Sequence, residues 1–160
     1  MPRVECLVRR ARFPFLKTID DFSFLYQSTV RLSLLGSAQA PDFITEGGCL
    51  IFGGTTERGK THLAVAIAYR AIQNGFDALF VTAAELIDDF SAAFRSGGFT
   101  DVLASYVHPG VLVVEVGYLT YGTDAANMLF HVVNDRHRKR RAMIFTTNKP
   151  LNAWGPRAAR

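Results

Sequence analysis

Short apolar runs alternate with stretches of helical periodicity along most of the chain. Continuous apolar runs predict four buried strands, at residues 49–52, 77–81, 111–114 and 142–146, because an interior strand of a parallel sheet is covered on both faces. Apolar positions spaced three or four residues apart predict helices at 28–40, 60–74, 82–95, 100–107 and 124–138. Strands that alternate with helices through short loops predict a parallel sheet with right-handed crossovers, layered α/β/α.

Local signals mark the ends of several of these elements. Thr82 and Glu85 match the capping box, in which a hydroxyl and a carboxylate satisfy free backbone N–H groups at a helix start. Gly75 and Gly97 follow two predicted helices, where glycine readily adopts a left-handed stop. The helix at 28–40 is predicted to end at Pro41, and residues 43–48 are interpreted as a connector.

The first part of the chain carries no regular element in this interpretation. Pro14 argues against a helix there, so residues 1–27 are interpreted as an irregular basic and aromatic arm lying over a core domain of residues 28–160. The phenylalanines of this region are interpreted as packing anchors in preference to a base-stacking platform; they are Phe13, Phe15, Phe22 and Phe24.

Composition is that of a soluble globular domain. The chain has 160 residues, of which 49% are hydrophobic and 20% charged, enough to build one core. It contains neither a run of about eighteen apolar residues, which a membrane span needs, nor a secretory signal at its start. Cys6 and Cys49 match no disulfide or metal spacing. These features predict a cytoplasmic protein with reduced thiols.

Positive charge is concentrated in two places. The formal net charge of +4 and the pI of about 9.3 permit contact with nucleic acid without requiring it. Four arginines lie in the first twelve residues, and a basic run covers residues 136–141; both are candidates for DNA phosphate contacts. A solvated tail and a solvated helix end explain the same charges, so both interpretations stay open.

The candidate chemistry lies between the first strand and its helix. Residues 54–61 match the pattern G-x-x-x-x-G-K-[ST] in a strand, loop and helix setting; they are Gly54, Thr55, Thr56, Glu57, Arg58, Gly59, Lys60 and Thr61. Such a loop points backbone N–H groups and a helix N-terminus at a polyphosphate. The pattern predicts nucleotide binding, with Lys60 on the β- and γ-phosphates and Thr61 on Mg²⁺. His62, directly after the loop, is also predicted to be a nucleotide-binding residue. The alternative is a glycine-rich turn before an ordinary helix.

Glu57 is an unusual residue for this loop. Glycine is common at its position because the backbone there tends toward positive φ and lies against the phosphates. A glutamate is therefore expected to add backbone strain and a like charge beside the ligand. At about 4 Å and an effective dielectric of about 20, each charge pair costs about 4 kcal/mol before screening. Nucleotide affinity is expected to be reduced.

Polar residues follow two of the predicted strands. Glu115 ends the strand at 111–114 and is placed to hold Mg²⁺ or to polarise a water. Val116 follows it, so one carboxylate has two tasks. Asn148 follows the fourth strand, where its amide is placed to sense the γ-phosphate and position the attacking water; the alternative is that Asn148 caps the turn into Pro150.

These motifs resemble the IstB family of insertion-sequence transposition ATPases, which are related to the DnaC helicase loaders. Specific shared features are His62-Leu63 after the loop and Gly117-Tyr118-Leu119 after the acid; the other shared stretches are 9–14, 17–22, 59–64, 80–86 and 146–150. The resemblance implies a P-loop NTPase of the AAA+ type that binds ATP, Mg²⁺ and DNA, forms oligomers and assists a transposase. By position, Lys60, Thr61, Glu115 and Asn148 carry the nucleotide roles.

The chain departs from the family pattern at three points. Thr55, Thr56 and Glu57 replace the family's Pro, Pro and Gly, and Glu115 alone replaces its Asp-Glu pair. The family's fifth strand and C-terminal helical region, with a nucleotide-sensing arginine, are expected to be missing, which makes the first strand a sheet edge. The alternative to an ATPase is therefore a catalytically silent module that binds only DNA or protein.

Overall fold

The computed structural model describes residues 2–16, 18, 41–53, 57–117 and 123–148. The predicted helix at 28–40 lies outside these residues, as do Phe22 and Phe24. The described elements are, in chain order, α1 (Pro2–Ala11), α2 (Pro41–Thr45), β1 (Cys49–Gly53), α3 (Glu57–Gln73), β2 (Ala78–Thr82), α4 (Ala83–Ser96), α5 (Phe99–Val107), β3 (Val111–Gly117), α6 (Thr123–Arg138) and β4 (Ala142–Thr147).

The four strands form one parallel sheet in the order β1-β4-β3-β2. In register, Val113 of β3 pairs with Phe80 of β2 and with Ile144 of β4. Each of the four predicted strands is present within a few residues of its expected bounds. The predicted parallel α/β architecture is therefore confirmed.

Helices cover both faces of the sheet and complete three layers. Val111 and Val113 point toward α1 and α3, whereas Leu112 and Val114 point toward α4, α5 and α6. All four of these side chains are fully buried. Because β3 is covered on both faces, its sequence is continuously apolar instead of alternating.

Helix α3 is buried around most of its circumference. Leu63, Ile67 and Ala71, the predicted inner face, are buried, and so is every residue of the run 63–68. The helix ends at a Schellman-type stop: the Gly75 N–H donates to Ile72 O at 3.0 Å and the Phe76 N–H to Ala71 O at 3.0 Å, with Gly75 at φ 97°. The predicted stop at Gly75 is confirmed.

The interpretation of the first residues as irregular is wrong, because residues 2–11 form helix α1. Val4, Leu7, Val8 and Ala11 recur at helical spacing and pack on the core, and Phe13 also packs there. Pro14 lies beyond the helix end, where Arg12 already has φ 60°. A proline disrupts its own position and the turn before it, so Pro14 leaves the first ten residues free to be helical.

One other segment differs from prediction. Residues 41–45 form the short helix α2, so part of the predicted connector is helical. Pro41 begins this helix, and proline is favoured in a first helical turn. The cap of α4 agrees with prediction, since the Glu85 N–H donates to Thr82 Oγ1 at 3.2 Å. Thr82 Oγ1 in turn donates to Glu85 Oε1 at 3.0 Å.

Arg136 is fully buried, so it does not belong to an exposed basic run. Its guanidinium donates to four carbonyl oxygens: Tyr106 at 2.9 Å, Val107 at 3.2 Å, Gly110 at 3.3 Å and Ala142 at 2.6 Å. Burial, and next the nearby charge of Arg141, lower the pKa of Arg136 to about 9. Arg136 joins the end of α5 to the start of β4 and is removed from the candidate DNA contacts.

Candidate functional site

The predicted nucleotide residues lie where parallel strands end, the usual ligand-binding edge of an open α/β sheet. Glu115 of β3 is in register with Thr82 of β2 and Thr146 of β4, and Thr146 is in register with Phe52 of β1. These four side chains form one row on the face of the sheet that α3 covers. Glu115 therefore lies on the same side of the sheet as the start of α3.

Thr61 and Glu115 are in contact although 54 residues separate them along the chain. The Thr61 hydroxyl donates to Glu115 Oε1 at 2.8 Å. Thr61 and the adjacent Lys60 are both buried, whereas Glu115 is half-buried. A lysine is seldom buried without a compensating interaction. An ammonium group, a hydroxyl and a carboxylate are therefore contributed by neighbouring residues at this end of the sheet.

Helix α3 begins at Glu57, three residues earlier than predicted. The backbone N–H groups of residues 57–59 therefore lie in a first helical turn, where they have no acceptor within the helix and the macrodipole favours an anion. The predicted left-handed strain at Glu57 is wrong, because helical backbone has negative φ. The expected charge repulsion by Glu57 stays a prediction. Gly54, Thr55 and Thr56 lie outside the described residues.

His62 and Asn148 occupy different surroundings. His62 Nε2 donates to the backbone oxygen of Thr18 at 2.9 Å, so the imidazole ties α3 to the N-terminal part of the chain. Asn148 directly follows β4 and is half-buried. Its role at the γ-phosphate and the role of His62 in ligand binding both stay predictions.

Thr146 is a residue that sequence reasoning missed. Its side chain is 1% exposed, and its Oγ1 has no hydrogen-bond partner among the described residues. The available signal was a hydroxyl residue inside the otherwise apolar strand 142–146. Threonine is common in strands because it is β-branched, so its presence there does not by itself indicate a functional residue.

The oxygen groups at this edge fit Mg²⁺. Magnesium is usually held by one or two carboxylates together with phosphate oxygens and waters. The Glu115 carboxylate and the Thr61 hydroxyl lie side by side, and the unsatisfied Thr146 hydroxyl lies in the same row. The described residues contain no group of three or more His, Cys, Asp or Glu side chains placed to hold a metal, so the arrangement suits a metal that arrives with phosphate ligands.

Comparison with known families identifies the chain. Residues 1–158 match the family model described as IstB-like ATP binding protein. The chain belongs to this family. It is 33% identical over 153 residues to the ATP-binding protein of insertion sequence IS5376 from Geobacillus stearothermophilus, an alignment that covers 95% of this chain and 61% of that protein. The resemblance inferred from the motifs is confirmed.

Solved structures share the fold of this IstB-like chain. The DnaC helicase loader superposes with a TM-score of 0.68 at 21% identity, covering 97% of this chain and 85% of that one. AMPPCP-bound DnaA from Aquifex aeolicus superposes with a TM-score of 0.72 at 16% identity, covering 86% of this chain and 43% of that one. The predicted AAA+ type of P-loop fold is thereby confirmed.

The arginines among the first twelve residues are exposed; they are Arg3, Arg9, Arg10 and Arg12. Arg10 and Arg12 line a cavity of about 250 Å³ at the start of β2, together with Asp89 and Tyr106. The Tyr106 hydroxyl donates to Asp89, and burial, followed by this bond, raises the pKa of Tyr106 above its usual range. In this IstB-like chain the cavity is separate from the candidate nucleotide site.

Proposed function

We propose that the chain binds ATP with Mg²⁺ at the edge formed by α3, β3 and β4, and that it serves as a helper of insertion-sequence DNA transposition together with DNA and a transposase. The observation that carries the proposal is the hydrogen bond between Thr61 and Glu115 beside buried Lys60. Membership of a family described as ATP-binding supports it. The chain spans 61% of the relative described above, so the activity and partners of the whole protein remain part of the proposal.

Four residues carry the nucleotide site in this proposal. Lys60 supplies positive charge to the β- and γ-phosphates, and Thr61 offers its hydroxyl oxygen to the metal. Glu115 holds the metal's water shell, and Asn148 positions the attacking water. When bound, Mg²⁺ would neutralise charge that develops on the phosphate oxygens. Thr61 and Glu115 already lie 2.8 Å apart, so little rearrangement is needed to bring both to one ion.

ATP turnover depends on a single carboxylate in this proposal. Glu115 is followed by Val116, so one carboxylate has both to serve the metal and to polarise the water. The second candidate function is therefore a catalytically silent module that binds DNA or protein. Nucleotide binding and hydrolysis are separable measurements, which makes the two candidates distinguishable.

Titration with a fluorescent ATP analogue in Mg²⁺ tests nucleotide binding. We expect a Kd below about 100 μM, which corresponds to about −5.5 kcal/mol. Lys60→Ala removes the phosphate-binding charge and is expected to weaken binding at least about tenfold, or about 1.4 kcal/mol. Arg70→Ala, at the other end of α3, is the matched control and is expected to bind normally. A folded protein that does not bind the analogue supports the silent module.

DNA binding is tested on basic residues other than the buried Arg136; Arg140 is exposed and Arg141 is half-buried. If Arg140 and Arg141 contact phosphates, the double variant Arg140→Gln/Arg141→Gln should reduce the slope of log K against log salt by about 1.8. Arg3→Gln/Arg9→Gln makes the same charge change on α1. An unchanged slope for both pairs would remove the two basic segments from the interface.

The proposal also includes self-association and a cytoplasmic location. In the part of the chain that the structure describes, β1 is an edge strand, and Ile51 on it is 54% exposed. An exposed apolar edge strand favours pairing with another chain. A light-scattering signal of clean monomer at tens of micromolar protein would contradict self-association. No helix among the described residues is long and apolar enough to cross a membrane.

A further inference from the structure

The buried hydroxyl of Thr146 is not explained by the fold alone. Thr146 is 1% exposed, and its Oγ1 finds no hydrogen-bond partner among the described residues. A hydroxyl removed from water without a partner is unfavourable, whereas valine has almost the same shape and carries no such cost. The protein alone therefore gains nothing from the Thr146 oxygen.

The position of Thr146 indicates where a partner would come from. Glu115 is its register neighbour on β3, and the two side chains lie on the same face of the sheet. Adjacent strands are about 4.8 Å apart, which makes the side chains of Thr146 and Glu115 direct neighbours on that face. Thr61, the residue expected to touch the metal, is hydrogen-bonded to that carboxylate.

The chemistry of Mg²⁺ supplies a partner of the right kind. Magnesium loses its waters reluctantly and keeps several of them when it binds with a nucleotide. A metal-bound water is a strong donor and needs acceptors for both protons. Glu115 is one acceptor in this row, and Thr146 Oγ1 has free acceptor capacity next to it.

We infer that Thr146 is a positioning residue for the metal, whose hydroxyl accepts a hydrogen bond from a water of the magnesium–nucleotide complex. The inference rests on the proposed nucleotide function and extends it to a residue outside the phosphate-loop, acid and asparagine motifs. The Thr146 hydroxyl would act as a second hydrogen-bond acceptor beside Glu115, so that a metal-bound water needs only one carboxylate to orient it. Removal of the Thr146 hydroxyl should therefore affect the magnesium-dependent part of binding and spare the rest.

The test compares Thr146→Val with Thr146→Ser and with Ile144→Val. Ile144 lies on the same strand and face and is fully buried, so Ile144→Val controls for a small change in packing. Two quantities are measured for each protein: the midpoint of thermal unfolding without nucleotide, and the Kd of a fluorescent ATP analogue in Mg²⁺ and in EDTA. Thr146→Ala provides a second protein without the hydroxyl.

For Thr146→Val we expect an equal or higher unfolding midpoint and an unchanged Kd in EDTA. Its gain in affinity on adding Mg²⁺ should fall about tenfold, the effect of losing one good hydrogen bond. Thr146→Ser should restore the gain, Thr146→Ala should lose it, and Ile144→Val should keep it.

Two results would overturn the inference. One is a full magnesium effect in both Thr146→Val and Thr146→Ala. The other is a lower midpoint with no change in magnesium effect, which would assign the hydroxyl a structural role. Failure of the wild-type protein itself to bind the analogue would instead reject the proposed function and the inference with it.

Discussion

We expect Arg136→Met to lower the free energy of unfolding by about 4 kcal/mol, a cost typical of removing one partner from a buried charged network. Arg136 is fully buried at the junction of α5, α6 and β4 and donates to four backbone carbonyls. Methionine matches the length and flexibility of the arginine stem but offers no donor. The variant therefore leaves carbonyl oxygens buried without the guanidinium.

The magnitude follows from the contacts. A hydrogen bond to a charged group is worth about 1.5–3 kcal/mol, so four of them set an upper limit of about 6–12 kcal/mol. The real cost is lower, because the guanidinium pays for its own desolvation and the methionine recovers apolar contact. Tyr106 and Val107 contribute the carbonyls of the last turn of α5, where a cation also stabilises the helix dipole.

Urea unfolding followed by circular dichroism measures the change, with equal m-values required for the comparison. Arg138→Met is the matched control, since its side chain is 73% exposed and lies 3.9 Å from Asp135; an exposed ion pair of this kind is worth at most about 0.5 kcal/mol. The two variants make the same chemical change two residues apart. If Arg136→Met costs less than about 1 kcal/mol, or no more than Arg138→Met, the carbonyl cluster does not stabilise the fold as argued.

Three further predictions test other parts of the chain. Glu57→Gly removes a negative charge from the first turn of α3 and should tighten binding of a fluorescent ATP analogue; an unchanged Kd would clear Glu57 of any inhibitory role. Gly97→Ala should cost about 1 kcal/mol in urea unfolding, because φ is 79° with open space around the Cβ. Gly47→Ala should cost more, since its Cβ would also lie 2.7 Å from the backbone of Arg140; equal costs would contradict that contact. Because the pKa of Tyr106 is raised in the folded state, its stabilising contribution is complete below the unfolded value of about 10 and is lost as pH rises above it. The stability advantage of wild type over Tyr106→Phe should therefore stay constant up to about pH 9 and shrink as pH rises above about 10. A difference that stays constant to about pH 11 would argue against the raised pKa.

The sequence by itself determined the strands, most helices and the pairing of the two central site residues. Apolar runs identified β1 to β4 because strands packed between two layers of helices carry few polar side chains. Thr61 and Glu115 were predictable as neighbours because the ends of parallel strands and the helix that follows β1 meet at one edge. The apolar spacing of Val4, Leu7, Val8 and Ala11 was also sufficient to predict α1; the error came from extending the effect of Pro14 too far along the chain.

Only the tertiary structure decided the roles of Arg136 and Thr146. Arg136 occurs in a run of basic residues that, along the sequence, is typical of an exposed helix end, and its burial depends on carbonyls contributed by α5 and β4. Thr146 resembles any β-branched strand residue until its register with Glu115 and its lack of a partner among the described residues are known. Periodicity reports which side of an element faces the core, but whether a polar atom there finds a partner depends on chain segments far away in sequence.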